Sequence, residues 1–242
     1  MAAATWKPDR GTFFYLAMGW TALGAAIAGF STTYLMPMAG ARFEGPGIAH
    51  LHGLLFFTWV ILMVVQPLLV RRQALRLHRK LGLLALVLAP AMAASGVGVG
   101  LYAVQRDVSA GLGGLAYSTL IGVLTAMSIF VLFVAIGLHL RNRPDWHKRM
   151  MLLATIAILW PAWFRFRHFM PWVPNPEIWL ALVLADIPIL IAMLRDRLRF
   201  GRVHPAYLIF GTALIANHVL EVIWFDTPGW RAAAMTAYAA LT

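Results

Sequence analysis

The sequence predicts an all-α integral membrane bundle of about seven transmembrane helices, on three observations. Hydrophobic residues make up 61% of the 242 and charged residues only 12%, far more apolar surface than one soluble core of this length can hide. The apolar residues come in runs near the ~20 that a helix rising 1.5 Å per residue needs to cross ~30 Å of hydrocarbon. The gaps between runs are short and polar, and no soluble domain fits into any of them.

In chain order the runs fall at about 12–36, 47–70, 81–104, 117–140, 150–170, 178–194 and 205–225. No repeat is evident, so residues 1–242 read as a single transmembrane helical domain. The stretch Met1 to Arg10 shows no small-residue cleavage signal, and the first run is expected to be a retained helix rather than a signal peptide. Pro90, Pro161 and Pro188 fall inside runs, where a missing N–H and a ring clash bend the helix and free a carbonyl. Gly96 and Gly100 form a small-xxx-small pair, a packing signal that lets another backbone come close.

The formal net charge of +11 would suit a nucleic-acid binder only if the basic residues shared a solvated face. They sit instead in the gaps, which argues for a lipid bilayer and against nucleic acid as partner. Arg71, Arg72, Arg76, Arg79 and Lys80 follow the second run, and Arg141, Arg143, Lys148 and Arg149 the fourth. Arg195, Arg197, Arg199 and Arg202 follow the sixth, and Lys7 and Arg10 precede the first, which places fifteen of the 20 Lys and Arg on one side. The positive-inside rule then puts the N-terminus in the cytoplasm and the C-terminus in the periplasm. Trp172, Trp179, Trp224 and Trp230 fit an outer aromatic belt, and Trp6 and Trp146 an inner one. Cysteine is absent, which removes disulfides, thiolate metal sites and Cys nucleophiles together. Neither a phosphate-cradling glycine loop nor a nucleophile elbow occurs.

Depth sorts the eight histidines. His78, His139, His147 and His204 lie at basic helix ends, where a polar ring costs little and can meet lipid phosphates. His50, His52, His168 and His218 fall in the outer half. His50 and His52 point ~200° apart on a helix, so only one faces the bundle core. His52 shares a face with Phe56, Trp59, Met63 and Gln66, and Gly53 beside it leaves room for a bulky group, so His52 is expected inward and His50 at the interface. His218 and Glu221 lie at i and i+3 on the last run with Asn217 beside them. Arg165 and His168 repeat that spacing near the outer end of the fifth run, and Asp186 lies in the sixth.

Because a charge in lipid costs a few kcal/mol or more, Arg165, Asp186 and Glu221 are expected to face protein, water or a ligand. Four readings follow. The groups form structural ion pairs, such as Glu221 with Arg165, in a purely structural subunit. His52 and His218 bind haem b axially, with Arg165 or Arg167 on its propionates. A zinc or copper ion is held by His52, His168 and His218, with Glu221 as ligand or general base. Asp186 and Glu221 titrate in a proton-coupled solute carrier. Of these, haem or metal binding in a redox or assembly role is the expectation adopted, alone or within a membrane-protein complex or homo-oligomer.

Three segments carry a resemblance: His50-Leu51-His52-Gly53, Leu77-His78-Arg79-Lys80-Leu81-Gly82, and the stretch from His147-Lys148-Arg149 to Ala154-Thr155. Together they resemble a family of bacterial polytopic membrane proteins without an assigned activity, over about Gly47 to Arg167. The resemblance implies a bacterial inner membrane and raises His78 and His147 as secondary ligand candidates. A fainter likeness to cytochrome-b-type and oxidase-assembly membrane proteins rests on histidines at helix ends. His52 and His218 also resemble the histidines of seven-helix zinc hydrolases of the ceramidase and progestin-receptor type. That pattern needs a second histidine four residues on, where this chain has Val222.

Overall fold

The computed structural model describes residues 10–242, and Trp6 and Lys7 of the sequence argument lie outside them. The described residues form helices and turns only: α1 (Arg10–Phe30), a π-helical stretch (Ser31–Leu35), α2 (Met36–Ala39), α3 (Gly47–Arg71), α4 (Leu75–Gly82), α5 (Ala85–Ser109), α6 (Leu115–His139) and α7 (Pro144–Ala157). There follow α8 (Trp160–Phe164), a 3₁₀ turn (Arg165–His168), a π stretch (Glu177–Val183), α9 (Leu184–Phe200), a second such stretch (Tyr207–Gly211), α10 (Thr212–Trp224) and α11 (Pro228–Leu241). Six helical stretches are long and apolar enough to cross a membrane, and α7 with α8 and its 3₁₀ turn makes a seventh if that bent pair is one span. Leu86, Val87, Leu132, Leu190 and Ile223 keep more than half of their surface exposed along these stretches, a surface that lipid satisfies and water does not.

The third stretch begins at Leu75 rather than near 81, so His78, Arg79 and Lys80 stand on a helix and not in a loop. Residues 228–241, for which the sequence suggested no element, form α11. Its start is set by Thr227, whose hydroxyl accepts from the Trp230 amide, and by Pro228 in the first turn. Trp230 joins this helix to α6. Its indole donates to the Ser118 carbonyl at 2.8 Å, and Tyr238 packs on Tyr117, so α11 lies against the first turns of α6.

Prolines explain the breaks. Pro161 removes the bond to Ala157, where α7 ends, and the chain bends by 41° before α8. The π stretches at 31–35 and 177–183 stand just before Pro37 and Pro188, where a wider turn absorbs the missing N–H. Pro67, a further proline inside a helix, frees the Met63 carbonyl of α3. Gly19 of α1 closes on that carbonyl so tightly that a Cβ there would stand 2.4 Å from the oxygen. Gly29 does the same against the Ala162 backbone of α8. Gly96 and Gly100, by contrast, receive side chains of α6, Met127 and Val123, rather than another backbone. The buried centre runs through Trp59, Met92, Phe130, Phe133, Leu153, Ile156 and Ile189, with Trp59 donating to Thr155 across it at 3.0 Å.

Candidate functional site

Polar side chains gather in four places, two at each end of the bundle. At the end away from the basic loops, α9 and α10 meet through Asp186 and His218. Both are buried, and the His218 Nδ1 lies 2.8 Å from the Asp186 carboxylate, whose other oxygen has no partner. Glu221, one turn along, accepts from Thr125 of α6 at 2.5 Å and from Asn217 at 2.8 Å. The expected Glu221–Arg165 ion pair therefore does not form. Each acid takes a polar partner from a neighbouring helix in place of Arg165.

The second place lies around the 3₁₀ turn. Arg165 donates through Nε to Thr33 at 3.2 Å and through Nη1 to the Pro161 carbonyl at 2.8 Å, and its plane covers the Phe30 ring at 4.3 Å. Arg167 covers Phe164 at 3.9 Å, and His168 is exposed. His50 and His52 divide as the helix geometry requires. His50 takes the Tyr34 hydroxyl at 3.1 Å, in a cleft of about 340 Å³ shared with Met38, Ala41 and Phe43. His52 stacks on Phe56 and has a buried Nδ1 without a partner. The space above Gly53, which the sequence left open for a bulky ligand, holds Tyr34 at 3.3 Å.

At the basic end stands an ion pair that the sequence reading missed. Arg149 on α7 and Asp196 on α9 are almost wholly removed from solvent and joined by two parallel hydrogen bonds of 2.9 Å. Arg149 also donates to the Asp145 carbonyl, and Tyr207 packs beneath it, its hydroxyl 3.3 Å from that of Tyr15. Because the residues belong to separate runs, no spacing links them. The one available signal was Asp196 standing among four arginines.

Beside that pair, α4 brings His78 against His147 of α7, the rings perpendicular with centroids 6.4 Å apart. Each Nδ1 is occupied. His147 donates to the Gly137 carbonyl at 2.8 Å, because a carbonyl only accepts, and this leaves its Nε2 with a lone pair. Gln66 of α3 reaches the other ring. Its amide nitrogen donates to His78 Nδ1 at 2.5 Å while its oxygen accepts from the Gly82 amide at 3.0 Å. Gln66, placed by the sequence on the inward face with His52, thus serves the opposite end. His204 closes the region: its Nδ1 accepts from the Ala206 amide at 3.1 Å and caps the last span, with Trp146 against the ring. His204 lies in the turn between spans, and burial with the nearby Arg149 charge holds its pKa below 6.5.

Among the described residues no three of His, Asp and Glu come close enough to hold a metal ion by themselves. The set His52, His168, His218 and Glu221 is divided among an orphaned ring, an exposed turn, an aspartate pair and a threonine pair. No protein-family model, curated protein or solved structure matches the chain.

Proposed function

We propose that this multi-pass membrane protein holds a transition metal between His78 and His147, at the basic end of the bundle, in a redox or assembly role. The spacing of the two rings carries the reading. Their centroids stand 6.4 Å apart, close enough that both rings would reach one metal ion. The neighbours at Nδ1 orient both rings, and His147 keeps its Nε2 lone pair for a metal, whereas His78, which takes its Nδ1 bond from the Gln66 amide, offers Nε2 only when that amide turns its oxygen to the ring. Two protein ligands alone do not complete a metal shell. This favours haem b, which would bring nitrogen donors of its own, over a bare zinc or copper ion.

When bound, the haem supplies one-electron chemistry. The protein's part is orientation. Gly137 fixes the tautomer of His147, and Gln66 decides that of His78. With its nitrogen towards the ring it leaves the proton on Nε2, and with its oxygen there it takes the Nδ1 proton and frees Nε2 for iron. The pair His52 and His218 supports the reading less well, because α10 packs beside the π stretches of the last two spans while α3 packs on α1, α4, α5 and α7. The basic end is read as cytoplasmic by the positive-inside rule, in a bacterial plasma membrane by the resemblance.

The test is an absorption spectrum and elemental analysis of protein purified in mild detergent after haem-replete and metal-replete expression. A Soret band marks haem, and stoichiometric zinc or copper without one marks the bare ion. His78→Gln and His147→Gln, which keep polarity without a coordinating nitrogen, should each lose most of the cofactor at unchanged melting temperature of the apoprotein. A parent with neither signal, or variants that both keep the parent's content, ends the proposal.

A further inference from the structure

We infer that the Arg165–Arg167 turn, together with the unpartnered atoms around it, takes the phosphate of an anionic lipid headgroup. Five basic residues lie away from the basic end: Arg42, Arg106, Arg165, Arg167 and Arg231. Two have carboxylate partners, Arg106 with Asp107 and Arg231 with Asp226. Arg165 and Arg167 share one 3₁₀ turn, and among the described residues neither pairs with a carboxylate. Two adjacent guanidinium groups without a counter-charge, one of them anchored within a helical bundle, are costly in a membrane unless an anion accompanies them.

The hydrogen-bond balance points the same way. Arg165 spends Nε and Nη1 on Thr33 and the Pro161 carbonyl, and Phe30 covers one face, which leaves Nη2 for a further acceptor. Around this turn the buried atoms without a partner are Thr32 Oγ1, His52 Nδ1, Trp160 Nε1 and Trp163 Nε1. The two indoles can only donate and so call for acceptors, which the hydroxyl and the imidazole can also use. Thr32 adjoins the Thr33 that holds Arg165. A guanidinium fork with neighbouring N–H donors matches a phosphate, which offers several oxygens and a full negative charge. The source follows from position. The turn ends a span, and Trp172 and Trp179, both exposed, flank it at the depth where headgroups lie.

Thermal unfolding in detergent, titrated with phosphatidylglycerol, phosphatidylcholine or inorganic phosphate, tests the assignment. Phosphatidylglycerol should raise the melting temperature saturably, and phosphatidylcholine should do so only at much higher mole fraction. Arg165→Gln should weaken the half-saturation point by about tenfold or more, the loss of one charge-assisted bond, while Arg42→Gln titrates like the parent. An equal rise with inorganic phosphate would assign the site to a free anion and overturn the lipid source. Equal responses to the two lipids, or an Arg165→Gln titration matching the parent, overturn the site. Should Arg165→Gln not fold, Arg167→Gln takes its place, and native mass spectrometry of the parent must show phosphatidylglycerol retained in preference to phosphatidylcholine.

Discussion

Arg149 is a full charge at 2% side-chain exposure, facing Asp196 at 0%. Removing one partner of such a pair strands the other, at a cost of about 3–5 kcal/mol, whereas replacing both with apolar residues of similar volume is often neutral. Asp196→Ala should therefore lower the melting temperature sharply, and the double variant Arg149→Met with Asp196→Leu should recover most of the loss. A double variant that is the sum of two large single losses would show that the pair does not act as a unit. His204 adds a pH dependence at the same end. Its folded pKa is held below the ordinary 6.5, and its Nδ1 must stay unprotonated to accept from Ala206. The unfolded chain thus binds a proton that the folded protein refuses. Stability is fully present above about pH 6.5 and declines as the pH falls towards the folded pKa. Melting curves from pH 7.5 to pH 5 should show that decline, and His204→Asn, which keeps a capping acceptor without titrating, should make it shallower than in the parent. Sequence reasoning reached these residues unevenly. That Asp186, Glu221 and Arg165 would find partners inside protein follows from the cost of charge in lipid, but which partner each finds depends on helix adjacency, which periodicity does not encode.

At the scale of elements, the crossings are set where a backbone comes close to another backbone. A Cβ at Gly19 would meet the Met63 carbonyl freed by Pro67, and one at Gly29 would meet Ala162 O at 2.2 Å, whereas Gly24 on the same helix has nothing within 4 Å. Backbone cannot move aside as a flexible side chain can. Gly19→Ala and Gly29→Ala should each destabilise by about 1–3 kcal/mol, and Gly24→Ala should be neutral or slightly stabilising through helix propensity. Equal melting temperatures for all three would refute the close-contact account. The last element is held differently. Asp226 accepts from Ser118 at 2.7 Å and from Arg231, and these partners hold its carboxyl at about 2. That contribution is present above the ordinary carboxylate range and is lost as the pH falls towards 2. Asp226→Asn should release α11 from α6, seen as faster amide exchange over 228–241 with the rest of the bundle unchanged. The seven apolar runs were legible because lipid demands length and apolarity in every span. Helices α4 and α11 were not, since α4 reads as a charged loop by composition and the 14 residues of α11 fall short of a span.

For the molecule as a whole, the end at which each terminus stands follows from whether the bent stretch 144–168 crosses the membrane or returns. Were it re-entrant, residue 177 would start at the basic end, and Asp196 would finish at the far end, a membrane thickness from Arg149. The two are instead 2.8 Å apart, and Tyr15 at the start of α1 reaches Tyr207 at the start of the last span. Both contacts require 144–168 to cross, which makes seven crossings and puts residue 225 at the end opposite to Arg10. Helix α11 does not reverse this. At 1.5 Å per residue it is roughly 21 Å long, shorter than the ~30 Å hydrocarbon layer, and Trp230 and Tyr238 tie it beside Ser118 and Tyr117 at that same far end. The Lys and Arg of α4, of the 140–149 turn and of the 195–202 stretch gather at one end, and on the function proposed above the positive-inside rule reads that end as cytoplasmic. An alkaline phosphatase fused after Thr242 should accordingly be active, and a fluorescent protein fused there by the same export route dark. A phosphatase inserted after Arg143 should be inactive. An inactive fusion at Thr242 with an active one at Arg143 would invert the orientation and place the His78–His147 pair on the outer face. Inactive fusions at both sites would mean an even number of crossings, which the Arg149–Asp196 contact does not allow.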